Sequence, residues 1–168
     1  MTPTVKLIAD IVQASLGLSA ERVWIYNQRR EIPRDKGLFV VVGRLATVPY
    51  ANVNDVVMSS TSATETQFVA FQETLKLEVF SHDTSAIERD WEVVAALHSL
   101  YAEDSAMANT FRLAQVPTSM VDTSFLEGTS ILYRTSMTVQ VLRAYSKTLV
   151  AAYYGTFTES ILTEEGEV

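Results

Sequence analysis

Residues 73–80 alternate, with Leu75, Leu77 and Val79 falling on one side and Thr74, Lys76 and Glu78 on the other. A period of two marks a strand with one buried and one wet face. At Asp83-Thr84-Ser85 the pattern changes to a helix start, and Ser85 and Glu88 stand at capping-box spacing. From there Ile87, Trp91, Val94, His98 and Tyr101 recur on one stripe, with Glu88, Arg89 and Glu92 opposite. That periodicity predicts a helix lying on a sheet by its Ile87–Tyr101 stripe.

The N-terminal segment has helical periodicity too. Thr2-Pro3 reads as an N-cap followed by proline at the first helical position, and Gly17 as the stop. Between them Val5, Ile8, Val12 and Leu16 form one apolar stripe, and Leu7, Ile11 and Ala14 form a second. A helix this apolar needs cover on two sides. Its own sheet supplies one, and another part of the chain or a neighbouring subunit supplies the other.

Val23-Trp24-Ile25-Tyr26 reads as a short strand and 28–37, with Pro33 and Gly37, as a loop. The apolar run 38–42 predicts a central strand covered on both faces. Residues 47–65 are rich in Ser, Thr and Asn and hold few large hydrophobes besides Val53, Val56, Val57 and Met58. This stretch is too polar for core and too long for a turn, and reads as an extended hairpin or arm. Residues 110–121 are β-prone but interrupted at Pro117, which predicts an edge position or a bulge. A turn over 123–128 leads into a long strand, 131–145, bent at Tyr145-Ser146-Lys147 before a further stretch, 149–157. The last residues, 158–168, read as a flexible acidic tail.

The order of elements predicts an α+β fold, a mainly antiparallel sheet packed against two principal helices with a long protruding hairpin or arm. At 168 residues with 48% hydrophobic and 20% charged positions, one domain spanning 1–168 accounts for the chain. No window is apolar enough to cross a membrane, and the first residues lack the layout of a secretory signal. With no cysteine, disulfides and thiolate chemistry are excluded.

The net charge of −7 disfavours nucleic-acid binding as the main task. It is unevenly spread: between 45 and 128 twelve acids face three bases, whereas Arg22, Arg29, Arg30, Arg34, Lys36 and Arg44 cluster earlier. A basic first third against an acidic remainder suits subunits that pack head to tail. Glu31 and Asp35 interrupt the basic cluster and no aromatic platform accompanies it, so a loop facing protein or solvent is the better reading. His98, on the apolar stripe, reads as a buried or interface histidine, and His82 as a turn residue. Glu88 and Glu92, one turn apart beside Arg89, read as a solvated face. Neither histidine has zinc-site spacing, and the scattered glycines form no phosphate loop. No enzyme signature survives, and no cofactor or metal is expected.

The succession of N-terminal helix, Val23-Trp24-Ile25-Tyr26-Asn27-Gln28, Ile32-Pro33, Gly37-Leu38-Phe39-Val40-Val41-Val42, the 73–81 strand with its 83–101 helix, and Tyr133-Arg134 opening a closing strand resembles the neck or tail-terminator (tail-completion) proteins of long-tailed bacteriophages. The resemblance spans about residues 3–147 and rests on element order and dispersed residues. It implies a ring, commonly a hexamer, that caps the tail tube and joins it to the head connector in the virion, assembled in the host cytoplasm and without catalysis. Its partners would be copies of itself, the tail tube and sheath proteins, the head-completion or connector protein, and DNA passing without specific binding, with no membrane. Ring interfaces require two different complementary patches on one subunit. The candidate interface residues are Leu7, Ile11, Arg29, Arg30, Arg34, Lys36, Val53, Val56, Val57 and Met58. Alternatives are another tail-completion or baseplate ring of the same particle, and a small cytoplasmic enzyme with an unrecognised site around His98, Glu88 and Glu92.

Overall fold

The computed structural model describes residues 2–26, 35–58, 63–117, 119–127 and 130–151. Candidates Arg29, Arg30 and Arg34, residues 59–62 of the expected hairpin and the expected acidic tail lie outside them. The first helix, α1 (Thr4–Leu16), begins one residue later than the sequence suggests: Pro3 holds the cap position and its carbonyl accepts from the N–H groups of Lys6 and Leu7. No side chain caps this end. Gly17 ends the helix in the left-handed conformation (φ 63°), and the N–H of Leu18 closes back on Gln13 O at 3.0 Å.

The sheet is α+β in class and antiparallel except for one pair. β1 (Val23–Ile25) runs parallel to β2 (Phe39–Met58), with Val23 opposite Val40. β2 pairs antiparallel with β3 (Ala63–Ser81), which pairs antiparallel on its other side with the last strand, β7 (Ser130–Ala151). Between β3 and β7 the chain forms the helical segments α2 (Ser85–Glu88), α3 (Asp90–Leu97) and α4 (Leu100–Ala108). Three short strands follow, β4 (Phe111–Gln115), β5 (Val121–Asp122) and β6 (Phe125–Glu127). These succeed one another along the outer side of β7, Phe111 opposite Arg143, Val121 opposite Ser136 and Phe125 opposite Leu132. The β-prone run broken at Pro117 therefore does lie at an edge. The strand order is β1-β2-β3-β7-β4, so the 38–42 run, paired with β1 on one side and β3 on the other, is an inner strand, and β3 is the middle one.

Alternation along β3 divides the two faces as its sequence requires. Leu75, Leu77 and Val79 join Val40, Val42, Val139 and Val141 under the helices. On the opposite face Phe39, Phe80, Trp24 and Leu132 make a second, smaller cluster, so the 39–42 stretch is covered on both sides. β7 is one continuous strand to Ala151, paired with β3 through Tyr145, Ser146 and Lys147 without a register shift. The bend expected there is absent. The ladder from Val69–Tyr145 to Ala63–Ala151 holds those residues straight.

Three sequence expectations about the helices are corrected. Leu7 and Ile11 are not available to a neighbour: both are buried in the chain's own core, because α1 packs on β1 and β2 on one side and on α3 and α4 on the other. The helix expected over 83–101 is broken at Arg89 and again at His98-Ser99, since Ser99 adopts extended backbone and its hydroxyl caps α4 by accepting from Ala102 N at 3.2 Å. Those breaks rotate the buried face. Ala86, Asp90, Val93, Ala96 and Leu97 point inward, while Ile87, Trp91 and Tyr101 stand exposed, Trp91 by 61%. No Ser85–Glu88 capping box forms. Asp83 Oδ1 accepts from Ser85 N, Ser81 Oγ accepts from Ala86 N, and Thr84 donates to Glu88.

Candidate interaction site: the uncovered half of the sheet

The residues that an enzyme reading would need are engaged or apart. Arg89 holds Glu92 through two hydrogen bonds of 2.8 and 2.7 Å, which keeps that carboxyl below its usual range, while Glu88 accepts from Thr84. His98 is exposed at the C-terminus of α3 and not buried. It borders a cavity of about 790 Å³ between α4 and β4, walled mostly by Leu97, Ala102, Ala106, Met107, Phe111 and Leu113. No group of three His, Cys, Asp or Glu side chains poised to hold a metal occurs among the described residues.

Buried polar groups instead tie the layers together. Thr4 donates to Glu73 Oε2 and accepts from Arg143 Nη1 at 3.0 Å. Arg143 Nη1 also reaches Thr2 O at 2.8 Å, and Arg44 approaches Glu73 Oε1 at 3.5 Å. On the other face Glu78 is buried between Lys76 and Arg134, and Arg134 lies over the Phe80 ring. Asp90 is different. It is buried with Oδ1 unpartnered, and desolvation raises its carboxyl above the usual range against the lowering hydrogen bond from Trp91 N–H. A carboxyl raised in the folded state penalises folding once ionised. The penalty is absent below the unfolded value of 3.8 and grows as pH rises through the raised folded value. Asp90→Asn is therefore expected to raise stability at neutral pH, by up to about 1 kcal/mol. In urea titrations that gain should vanish as pH falls below the ordinary carboxylate range, and a gain that persists there would refute the assignment.

β2 leaves the core beyond Gly43 and β7 beyond Arg143, whereas Glu73 and Leu75 on β3 and Val139 and Val141 on β7 stay buried. Every β2 residue from Arg44 to Met58 is exposed except the half-buried Ala51, and β7 is exposed from Tyr145 to Val150. Yet this half carries eleven large exposed apolar side chains. Leu45, Val48, Tyr50, Val53, Val56, Val57 and Met58 come from β2, Phe68 from β3, and Tyr145, Leu149 and Val150 from β7. Residues directly opposite across a ladder share a face. Val53, Phe68 and Ser146 are level on one face, and so are Val57, Thr64 and Val150, whereas Val56, Glu65 and Leu149 are level on the helix-side face. Both faces are thus apolar in part, and scattered single hydrophobes do not describe them.

Of the ten candidate interface residues, the structure brings Val53, Val56, Val57 and Met58 together on this half-sheet. It buries Leu7 and Ile11, and places Lys36 exposed near Asp83, whose carboxyl is lowered mainly by hydrogen bonds from Ser85. Sequence reasoning missed Tyr145, Leu149 and Val150, because it assigned 47–65 to a two-stranded excursion and bent 145–147 away. It also missed the exposed set Ile87, Trp91, Leu100, Tyr101 and Met107 on the helical layer, three of which it had placed in or beside the core.

No helix among the described residues is long and apolar enough to cross a membrane. No protein-family model matches the chain, and no curated protein matches it. One solved structure aligns over 88% of this chain and 90% of its own at 12% identity and a TM-score of 0.39, a likeness too remote to carry an argument.

Proposed function

We propose that this chain is a structural subunit of a phage virion, forming a ring at the head–tail junction that ends the tail tube and joins it to the head connector. The observation that carries this reading is the uncovered half-sheet, in which three strands extend past the core with apolar side chains on both faces. A solitary protein gains nothing from such a surface, since exposed apolar patches mark contact with other proteins and long free strands invite pairing. The resemblance in element order supplies the setting, and implies six subunits, tube, sheath and connector as neighbours, and DNA passing an acidic chain of net charge −7 without adhering. On this reading the protein contributes shape and not reactivity.

Negative-stain imaging of the purified full chain is expected to show closed rings. A virus carrying the chain without residues 52–62 is expected to yield tails that do not join heads, with the truncated protein still folded by circular dichroism. Normal infectious particles from that deletion would overturn the role given to the half-sheet.

A further inference from the structure

We infer that copies of this chain join through the free edges of the half-sheet, β7 of one subunit pairing in parallel with β2 of the next, so that the sheets continue around the assembly. This rests on the ring reading above and adds its interface. Among the described residues, each edge strand presents a row of unpaired backbone groups, which is a template for another strand. On β2 the partner strand β1 stops at Val42, and on β7 the last partner, β4, stops at Arg143. The bulges at Arg44/Ala46 and Pro49/Ala51 blunt the inner part of the β2 edge. Residues 51–58 beyond them are free of proline and pair regularly with β3, as do 144–151 on β7. The two stretches are equal in length and stand level, since Ala51, Ala70 and Ala144 share one rung, and Met58, Ala63 and Ala151 another. Each carries one charge, Asp55 on one and Lys147 on the other.

Direction then selects the kind of contact. β2 and β7 both run antiparallel to β3 and so point the same way. Rotation about an axis along the strands keeps that direction, and brings β7 of one copy beside β2 of the next in parallel. A two-fold contact would instead place β2 on β2 or β7 on β7.

Because the chain has no cysteine, introduced thiols report this contact directly. Asn54 and Lys147 are level and share a face, both opposite Gln67. Two strand spacings, about 9.6 Å, separate them within one subunit, which is beyond disulfide reach. Oxidising a mixture of the full-length Asn54→Cys and Lys147→Cys chains is expected to give mixed dimers and no homodimers. The double variant is expected to give a covalent ladder ending at the ring. Asn52→Cys and Val56→Cys, each mixed with Lys147→Cys, sample a stagger of two residues either way. Homodimers from a single variant overturn the inference in favour of a two-fold contact. Rings that form with no mixed cross-link in any of the three combinations overturn it while leaving the ring reading intact, and a chain that stays monomeric removes both. Mixed cross-links that appear only when the chain is cut after residue 151 would assign the β7 edge to the chain's own C-terminal segment, and also overturn it.

Discussion

Replacing Arg143 with methionine is expected to lower the unfolding free energy by about 3–5 kcal/mol, the loss of two hydrogen bonds from a buried charged group, read as a fall in the urea midpoint with an unchanged slope. The arginine is buried on β7 and holds the start of α1 through Thr2 O at 2.8 Å and Thr4 Oγ1 at 3.0 Å. Thr4 in turn donates to the buried Glu73 on β3. Removing the guanidinium takes away both of its hydrogen bonds to the start of α1 and frays the end of a helix that no side chain caps. A buried polar group left without its partner costs more than the bond contributed. Because Thr4 links the two, the double variant Arg143→Met/Glu73→Leu should lose less than the sum of the single changes. A loss below about 1 kcal/mol for the single change, or strict additivity in the double, would show that the network does not join helix to sheet.

Leu97→Ala is expected to cost about 2–5 kcal/mol, while Trp91→Ala in the same helix stays within about 0.5 kcal/mol. The contrast is large because burial runs opposite to size: Leu97 is 2% exposed and Trp91 61%. Thermal or urea melts of the two variants decide it. A Trp91→Ala cost above 2 kcal/mol would mean that the indole packs inside the subunit after all. If Trp91 instead faces a neighbour, its removal should weaken association while leaving the fold intact.

That contrast also shows what a pattern of residues can and cannot disclose. The alternation in β3, the stop at Gly17 and the edge role of the segment broken by Pro117 were readable because each depends on chemistry within a few residues. The helical stripe was misread because it assumed one unbroken rod. Ser99 can either sit inside a helix or cap a new one, and taking the second option turns the buried face from Ile87, Trp91 and Tyr101 to Ala86, Val93 and Leu97. Pairing between distant strands was less legible still. Residues 47–58 were recognisable as lying off the core, but that β7 runs along this end of the sheet, with Ala63 opposite Ala151, is a contact 88 positions apart with no local signature. Likewise the two apolar sides of α1 were evident, whereas their second cover, α3 and α4, was not. Leu7 and Ile11 therefore read as interface residues when they are core. The exposed valines of β2 were found because nothing nearby in sequence could bury them.

The central claim is that the apolar half-sheet exists for copies of the same chain, and sedimentation velocity over a wide range of concentration tests it most directly. The unmodified full chain should sediment as one closed species at a fixed multiple of the chain mass. A Val57→Lys/Val150→Lys variant, which puts charge on two exposed positions of one rung near the two edges, should remain folded and sediment as a monomer. An unmodified chain that remains monomeric throughout, or a double-lysine variant that assembles as well as the original, would contradict the account.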